Sequence, residues 1–174
     1  MHALVEKARQ VKCVICDVDG VLTDGLLYLD SFGNELKTFQ VMDGVGLKLL
    51  MCVGIEVAVI TGSTTAIIDH RMQQLKIEHY FKGQLNKLNA YDTIKARLKL
   101  NDEDFAYIGD DIQDIGLIQR VGFGVAVNNA VAQVKQHAVW ETQQKGGHGA
   151  VRELCDFILN AQEKYTQAVE RYII

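Results

Sequence analysis

Short apolar runs alternate with longer helix-patterned segments along the chain, which has 174 residues. The runs are rich in Val, Ile and Ala, and this composition predicts parallel strands that are covered on both faces. The stronger runs are VKCVIC, IEVAVI, FAYI and FGVAV, and the weaker ones are HYF and HAVW. Helices are predicted over 44–53, 64–75, 86–100, 112–121 and 130–136. Strand and helix in turn predict a doubly wound α/β domain with a mainly parallel, Rossmann-like sheet.

The stretch LLYLDSFGNELKTFQV departs from this alternation. Two strand-like arms flank the turn signal SFGN, which predicts a β-hairpin over about 25–42, directly after the first strand. No linker, internal repeat or low-complexity segment divides the chain. We therefore expect 1–174 to form a single domain, with a Gly-rich segment and a helix over about 143–174.

The C-terminal stretch carries apolar residues at spacings of three and four. They are Val151, Leu154, Ile158, Ala161, Tyr165, Ala168 and Tyr172. This pattern predicts one helix of roughly 24 residues, about 36 Å long. Its far half, from Tyr165, would expose an apolar stripe on a monomer, so we expect it to contact a neighbouring subunit.

Charge and hydropathy narrow the class of protein. The formal net charge is −4, so no general attraction to nucleic acid or to an anionic membrane surface is expected. The first residues lack the apolar core of a signal peptide, and no apolar run approaches the roughly 18 residues of a membrane helix. These features predict a cytoplasmic protein without nucleic-acid or membrane partners.

Polar residues that follow the apolar runs form a candidate site. They are Asp17 and Asp19 after the first run, Thr61 after IEVAVI, Lys87 at the start of a helix, and Asp110, Asp111 and Asp114 after FAYIG. Because ligands bind beyond the carboxyl ends of the strands in an open α/β sheet, these side chains are expected to converge. Carboxylate oxygens suit Mg²⁺, while Lys and Thr side chains suit phosphate.

Four motifs in this order resemble the phosphatases of the haloacid dehalogenase superfamily: DVDGVLT, VITGS, NKLNA and GDDIQD. TDGLLYLDSFGNELKTF, VMDGVGLKLL and GGHGAVRE are also similar to the 3-deoxy-D-manno-octulosonate 8-phosphate (KDO 8-phosphate) phosphatase family, over nearly the whole chain. The resemblance implies a Mg²⁺-dependent homotetramer without a cap domain. It further implies hydrolysis of an eight-carbon acid sugar phosphate on the route to the lipopolysaccharide inner core.

The resemblance also implies roles for individual residues. Asp17 is the nucleophile that becomes an aspartyl phosphate, and Asp19 is the general acid and then the general base. Thr61 and Lys87 bind the oxygens of the transferring phosphoryl group. The implied Mg²⁺ ligands are the Asp17 carboxylate, the Asp19 backbone carbonyl and Asp110, and the residues implied to order their loop are Asp111 and Asp114.

For substrate binding, the resemblance implies Asp19, Gln40, Val41, Met42, Asp43, Gly44, Lys48, Ser63, Arg71 and Lys87. Arg71 suits bidentate binding of the sugar carboxylate, and it is equally consistent with a solvated helix arginine. The family usually has Arg where this chain has Ser63, so the site loses a positive charge. Lys37 is expected on the hairpin surface. Because no cap domain is expected, the hairpin or the segment QQKGGHGAVRE is expected to close the site, either in the same subunit or from a neighbouring one.

Two alternatives remain open at this point. A phosphatase of a nine-carbon acid sugar phosphate would share these motifs. A non-catalytic assembly module, like domains fused to sugar cytidylyltransferases, would share the fold, although the intact D-x-D favours an enzyme. Receiver domains are excluded by motif order, since they are phosphorylated on a later strand.

Overall fold

The computed structural model describes residues 2–170. Its strands are β1 (Cys13–Cys16), β2 (Tyr28–Leu29), β3 (Glu35–Leu36), β4 (Glu56–Ile60), β5 (His79–Phe81), β6 (Phe105–Gly109), β7 (Phe123–Ala126) and β8 (Trp140–Glu141). Six of them form one parallel sheet in the order β5-β4-β1-β6-β7-β8, and β2 and β3 pair separately. The predicted doubly wound α/β fold is confirmed.

Helices cover the sheet. They are α1 (His2–Gln10), α2 (Val41–Cys52), α3 (Ala66–Leu75), α4 (Lys87–Leu98), α5 (Ile115–Arg120), α6 (Ala132–His137), α7 (Ala150–Ala161) and α8 (Tyr165–Glu170). None of the helices within residues 2–170 is both long and apolar enough to cross a membrane. Each predicted helix exists, but α2 begins three residues before the predicted start at Gly44, because the Gln40 side chain accepts the Met42 amide as an N-cap.

Strand β1 lies at the point where the strand order reverses. It pairs with β4 on one side and β6 on the other, with Cys16 opposite both Val59 and Ile108. All four residues of β1 are buried, as expected for a central strand covered on both faces. The carboxyl end of β1 is therefore flanked by the carboxyl ends of β4 and β6, which is where ligands bind in such sheets.

The predicted hairpin is confirmed, with β2 and β3 antiparallel. Asp30 stabilises its turn, since the Asp30 carboxylate accepts the amides of Phe32 and Asn34 at 2.8 Å each. Between Asp19 and Thr61 the chain forms only this hairpin, α2 and β4, and between Thr61 and Lys87 only α3 and β5. Neither stretch contains a cap domain.

The single long C-terminal helix is wrong. Helix α7 ends at Ala161, and Glu163 adopts a left-handed φ of 58° before α8 begins. The Gln162 side chain holds this turn by donating to the carbonyls of Ala8 and Val11, at 3.1 and 2.7 Å. Helix α8 then folds back on its own domain, and Ala168 is fully buried. Tyr165 and Ala168 therefore do not form the exposed apolar stripe on which the expected subunit contact depended. Tyr172 lies outside the described residues.

Candidate active site

The loop after β1 places Asp17 and Asp19 at the centre of the sheet edge. The Asp17 amide donates to the Ile108 carbonyl at 3.2 Å, which extends the ladder by one residue, and Asp17 is only 2% exposed. Thr23 closes the loop, since its hydroxyl oxygen accepts the amides of Gly20 and Gly25 at 3.3 Å. The spacing of D-x-D-G-x-x-T therefore fits a loop that is closed by its own threonine.

Gly20 is required by its surroundings. Its φ is 86°, a left-handed conformation that side chains disfavour. A Cβ built there would lie 2.0 Å from Asp110 Oδ2. The absence of a side chain thus lets the Asp110 carboxylate lie directly against the loop that carries Asp17 and Asp19.

Lys87, at the start of α4, joins the loops that follow β1 and β6. Its Nζ lies 2.8 Å from Asp17 Oδ1 and 2.6 Å from Asp114 Oδ1. The hydroxyl of Tyr107, on β6, donates to the same Asp114 oxygen at 2.6 Å. All of these side chains are buried, so the charges are held in place with little screening by water.

Asp114 holds the loop after β6 rather than offering free oxygens. Its Oδ1 accepts from Lys87 and Tyr107, and its Oδ2 accepts the amides of Asp110 and Asp111 at 2.9 and 3.2 Å. Asp111 is exposed and caps the short 3₁₀ turn through the Ile112 amide. This is the arrangement expected of residues that order a loop.

Burial and neighbouring charges change the pKa values of the acid groups at this site. Burial raises the pKa of Asp17 to about 7, against the opposing attraction of Lys87 and with a further rise from Asp114. Burial also raises the pKa of Asp110 to about 7, together with repulsion from Asp17 and Asp114. Burial alone would lower the pKa of Lys87, but its two carboxylate partners outweigh this and raise it. The site therefore carries more acid groups than its own cation can neutralise.

A divalent cation fits this site. One carboxylate oxygen each of Asp17, Asp110 and Asp114 lies within 4.8 Å of the others, and both Asp114 oxygens already accept hydrogen bonds. Several buried side-chain atoms of residues 2–170, Asp43 Oδ2 among them, have no hydrogen-bond partner, and two of these atoms, Asp17 Oδ2 and Asp110 Oδ1, lie at this site. Buried carboxylate oxygens without partners are costly unless something binds them. The two open oxygens belong to the two side chains that the sequence predicted as ligands, and hard oxygen ligands suit Mg²⁺.

Thr61 follows β4 at the same edge and is 1% exposed. Its amide donates to the Phe81 carbonyl, and its hydroxyl oxygen accepts the Ser63 amide at 3.1 Å. Ser63 is half-buried directly beyond it. Thr61 and Ser63 therefore lie on the loop after β4, next to the strand that ends in Asp17.

The predicted substrate residues on α2 differ in exposure. Val41, Met42 and Lys48 are exposed, whereas Asp43 and Gly44 are buried. Arg71 reaches this segment from α3, because its Nη2 lies 2.6 Å from the position that a Cβ on Gly44 would take. The Arg71 guanidinium also lies over the Phe39 ring, 5.6 Å from its centre. The structure thus brings Arg71 to the predicted segment Gln40–Gly44.

Asp43 differs from its neighbours because its carboxylate is buried. It is 1% exposed, and its Oδ1 accepts the amide of Arg152 at 2.7 Å. Helix α7 has Gly149 at its N-cap, which offers no side-chain acceptor, so Asp43 caps α7 from another helix. Asp43 therefore joins the predicted substrate segment to the Gly-rich segment.

The Gly-rich segment packs on the catalytic loop of its own chain. The Gly147 amide donates to the Val21 carbonyl at 2.9 Å. A Cβ on Gly146 would lie 1.7 Å from the Gly20 carbonyl oxygen, and one on Gly147 would lie 2.4 Å from the Asp24 nitrogen. These backbone contacts require glycine. The segment therefore contacts the catalytic loop of its own chain.

Three residues that contact this site were missed or misplaced by the sequence prediction. Lys37 is not on the surface: its side chain is 3% exposed, and its Nζ lies 2.5 Å from Asp19 Oδ1. Lys37 lies directly after β3, two residues before Phe39, which packs on the core. Tyr107 and Asn129, which accepts the Gly146 amide, gave no signal in the sequence.

Comparison with known proteins identifies relatives of this chain. Residues 73–154 match the model of the haloacid dehalogenase-like hydrolase family. The KDO 8-phosphate phosphatase KdsC of Yersinia pestis is 44% identical over 161 residues, which cover 92% of this chain and 86% of the relative.

Two solved structures are similar over nearly the whole chain. A Legionella pneumophila protein assigned to subfamily III A of the HAD hydrolases is 61% identical, with a TM-score of 0.98 and coverage of 99% and 95% of the two chains. The Moraxella catarrhalis KDO 8-phosphate phosphatase, solved with magnesium, phosphate and KDO, is 38% identical, with a TM-score of 0.95 and 99% of both chains covered. This chain belongs to the KDO 8-phosphate phosphatase family of haloacid dehalogenase-like hydrolases.

Proposed function

We propose that this protein is a Mg²⁺-dependent phosphatase that hydrolyses KDO 8-phosphate to KDO and phosphate, in lipopolysaccharide biosynthesis. The observation that carries the proposal is the pair of buried, unpartnered oxygens on Asp17 and Asp110 beside Lys87. A cation and a phosphoryl group would supply the partners that these oxygens lack. The relatives with this name, and the Moraxella catarrhalis complex with KDO, support the sugar acid as substrate.

Asp17 begins the reaction by attacking phosphorus, which forms an aspartyl phosphate. Asp19 donates a proton to the leaving sugar oxygen, so that the sugar departs as an alcohol. Lys87 and Thr61 bind the transferring oxygens, where negative charge must be stabilised. Asp19, now ionised, takes a proton from the water that attacks the phosphoryl group, and Asp17 is regenerated.

Mg²⁺ would be held by the Asp17 carboxylate, the Asp19 backbone carbonyl and Asp110. When bound, it supplies positive charge that favours the ionised nucleophile and neutralises the phosphate. Asp114 and Asp111 order the loop that carries Asp110, through the amide contacts described above.

The sugar end would bind to the segment Gln40–Gly44, Lys48, Ser63 and Arg71. Arg71 is suited to the sugar carboxylate, because a guanidinium presents two parallel donors. Ser63 supplies a hydroxyl where the family usually has a positive charge. That difference keeps a nine-carbon acid sugar phosphate as the second candidate substrate.

We also propose a homotetramer in the cytoplasm. The hairpin supports assembly, since it exposes large apolar side chains, including Leu27 and Phe32 at 71% and 89%. Four free cysteines, three of them buried, fit a reducing compartment.

Phosphate release from a panel of esters tests the function. The panel contains KDO 8-phosphate, a nine-carbon acid sugar 9-phosphate and glucose 6-phosphate, each with Mg²⁺ and with EDTA. We expect the highest kcat/KM for KDO 8-phosphate and no turnover in EDTA. Asp17→Asn should abolish turnover, whereas the hairpin variant Asp30→Asn should not.

Preference for the nine-carbon ester would favour the alternative substrate. Hydrolysis that survives complete chelation, or the absence of phosphate release from every ester, would contradict the proposed enzyme.

A further inference from the structure

Lys37 reverses the usual order of burial on the hairpin. The apolar side chains of Leu27, Leu29 and Phe32 are exposed there, whereas the Lys37 side chain is 3% exposed. Lysine is almost never fully buried unless it is paired. Lys37 is paired twice, with its Nζ 2.5 Å from Asp19 Oδ1 and 2.7 Å from Glu35 Oε1. The hairpin is thus held against the catalytic loop by an ion-pair network.

The pair matters most for Asp19. Within residues 2–170, Lys37 is the one hydrogen-bond partner of the Asp19 carboxylate. The Asp19 side chain is 40% exposed, so without that partner it could sample several rotamers in water. Glu35 fixes the other side of the Lys37 ammonium, and the Glu35 side chain is 20% exposed. The orientation of Asp19 therefore depends on a residue of the hairpin.

The two lysines divide the D-x-D pair between them. Lys87 comes from α4 and contacts Asp17, while Lys37 comes from the hairpin and contacts Asp19. Each carboxylate is oriented by a different element. A substitution at Lys37 should therefore change the orientation of Asp19 and leave the contact between Lys87 and Asp17 in place.

We propose that Lys37 is a positioning residue, which holds Asp19 in the orientation needed for proton transfer and makes that step depend on the seating of the hairpin. The inference rests on the proposed function, because it assigns the proton transfer to Asp19. A misplaced catalytic group costs rate rather than substrate affinity. The effect should also depend on how strongly the leaving group needs a proton.

The test compares two esters in the full-length enzyme with Mg²⁺. KDO 8-phosphate has a sugar alkoxide as leaving group, whereas p-nitrophenyl phosphate releases a phenolate that needs no proton. Because Asp19 also acts as the base in dephosphorylation, the rates compared are those of leaving-group release in a single turnover. In Lys37→Met, this rate should fall by about 100-fold for KDO 8-phosphate, with the half-saturating ester concentration within about threefold of wild type. For p-nitrophenyl phosphate, the rate of phenolate release should fall by less than about threefold. Lys37→Arg should restore much of the lost rate, since it keeps the charge.

Two comparisons make the result decisive. Lys12→Met removes a lysine paired with Asp104 at 2.9 Å at the opposite edge of the sheet, and it should leave both rates unchanged. Asp19→Asn should show the same dependence on leaving group as Lys37→Met.

If Lys37→Met slows both esters equally, or slows neither, while Asp19→Asn discriminates between them, the positioning role is wrong and the proposed function stands. If Asp19→Asn itself does not discriminate, the acid step of the proposed function fails, and the role of Lys37 fails with it.

Discussion

Asp43 connects two parts of the chain that are 109 residues apart in sequence. Burial raises its pKa to about 6, against the opposing hydrogen bond from the backbone amide of Arg152. Arg71 and Arg152 also oppose the shift, while Cys16 and Cys155 lie close to it. The carboxylate is thus structural, although it lies within the segment that the sequence assigned to the substrate.

The sign of the resulting pH dependence follows from linkage. In the unfolded chain the pKa of Asp43 returns to the ordinary aspartate value of 3.8, so between about pH 4 and pH 6 the folded state binds more protons. Asp43 therefore favours folding at low pH, and that contribution is lost as the pH rises through 6. A shift of about two pKa units corresponds to about 3 kcal/mol over the full window.

Asp43→Asn should remove this dependence while keeping an acceptor for the Arg152 amide. The free energy of unfolding of wild type relative to the variant should fall by about 2 kcal/mol between about pH 4.5 and about pH 7. Urea unfolding of both proteins without Mg²⁺ measures the difference. Parallel pH curves for the two proteins would show that Asp43 has no raised pKa.

The sequence predicted the positions of side chains within its motifs. It did not predict the positions of side chains whose contacts lie far away in the sequence. Asp17, Asp110 and Lys87 follow a strand end or begin a helix, so their convergence was predictable. The inward position of Lys37 and the α7 contact of Asp43 depend on packing between segments that are remote in sequence. Local patterns carry little information about such contacts.

Among residues 2–170, the hairpin carries the largest group of exposed large apolar side chains. Leu26, Leu27 and Leu29 are 60%, 71% and 65% exposed, and Phe32 is 89% exposed. Patches of this kind usually mark contacts between proteins, so we expect the proposed tetramer to bury the hairpin. Burying such leucines would contribute about 1.5–3 kcal/mol each.

The double variant Leu27→Gln/Leu29→Gln should therefore dissociate the assembly. The free energy of unfolding of the monomer should change by less than about 0.5 kcal/mol per substitution, because these side chains are exposed. Light scattering gives the mass of the wild type and the variant, with Val139→Gln, which is 42% exposed on another part of the surface, as the matched control. A monomeric wild type, or an unchanged tetramer in the variant, would contradict the interface.

Element boundaries were predictable where local chemistry sets them. Asn86 caps α4 by accepting the Leu88 amide, and the SFGN turn forms as expected. The break after α7 was not predictable, because it occurs at Gln162 and Glu163 without a Gly or Pro. Tertiary contacts of Gln162 with the end of α1 determine it, and Glu163 adopts a left-handed φ there.

In the whole molecule, the reversal of strand order at β1 gathers the chemistry at one sheet edge. Asp17 follows the central strand, Thr61 follows β4 and Asp110 follows β6, so three strands contribute to one site. The Gly-rich segment and the hairpin, which are far apart in sequence, both contact the catalytic loop. We propose that this site forms a covalent bond between phosphorus and Asp17.

Trapping that bond is a direct test of the proposed phosphoenzyme. Asp19→Asn is mixed with Mg²⁺ and p-nitrophenyl phosphate, quenched in acid and digested. Because Asp19 is then unable to activate water, the phosphoenzyme should accumulate. Mass spectrometry should find one added phosphoryl group, on Asp17, and none on the Asp17→Asn/Asp19→Asn double variant. A phosphoryl group on a different residue, or ester hydrolysis by the single variant with no phosphorylated peptide, would contradict the account.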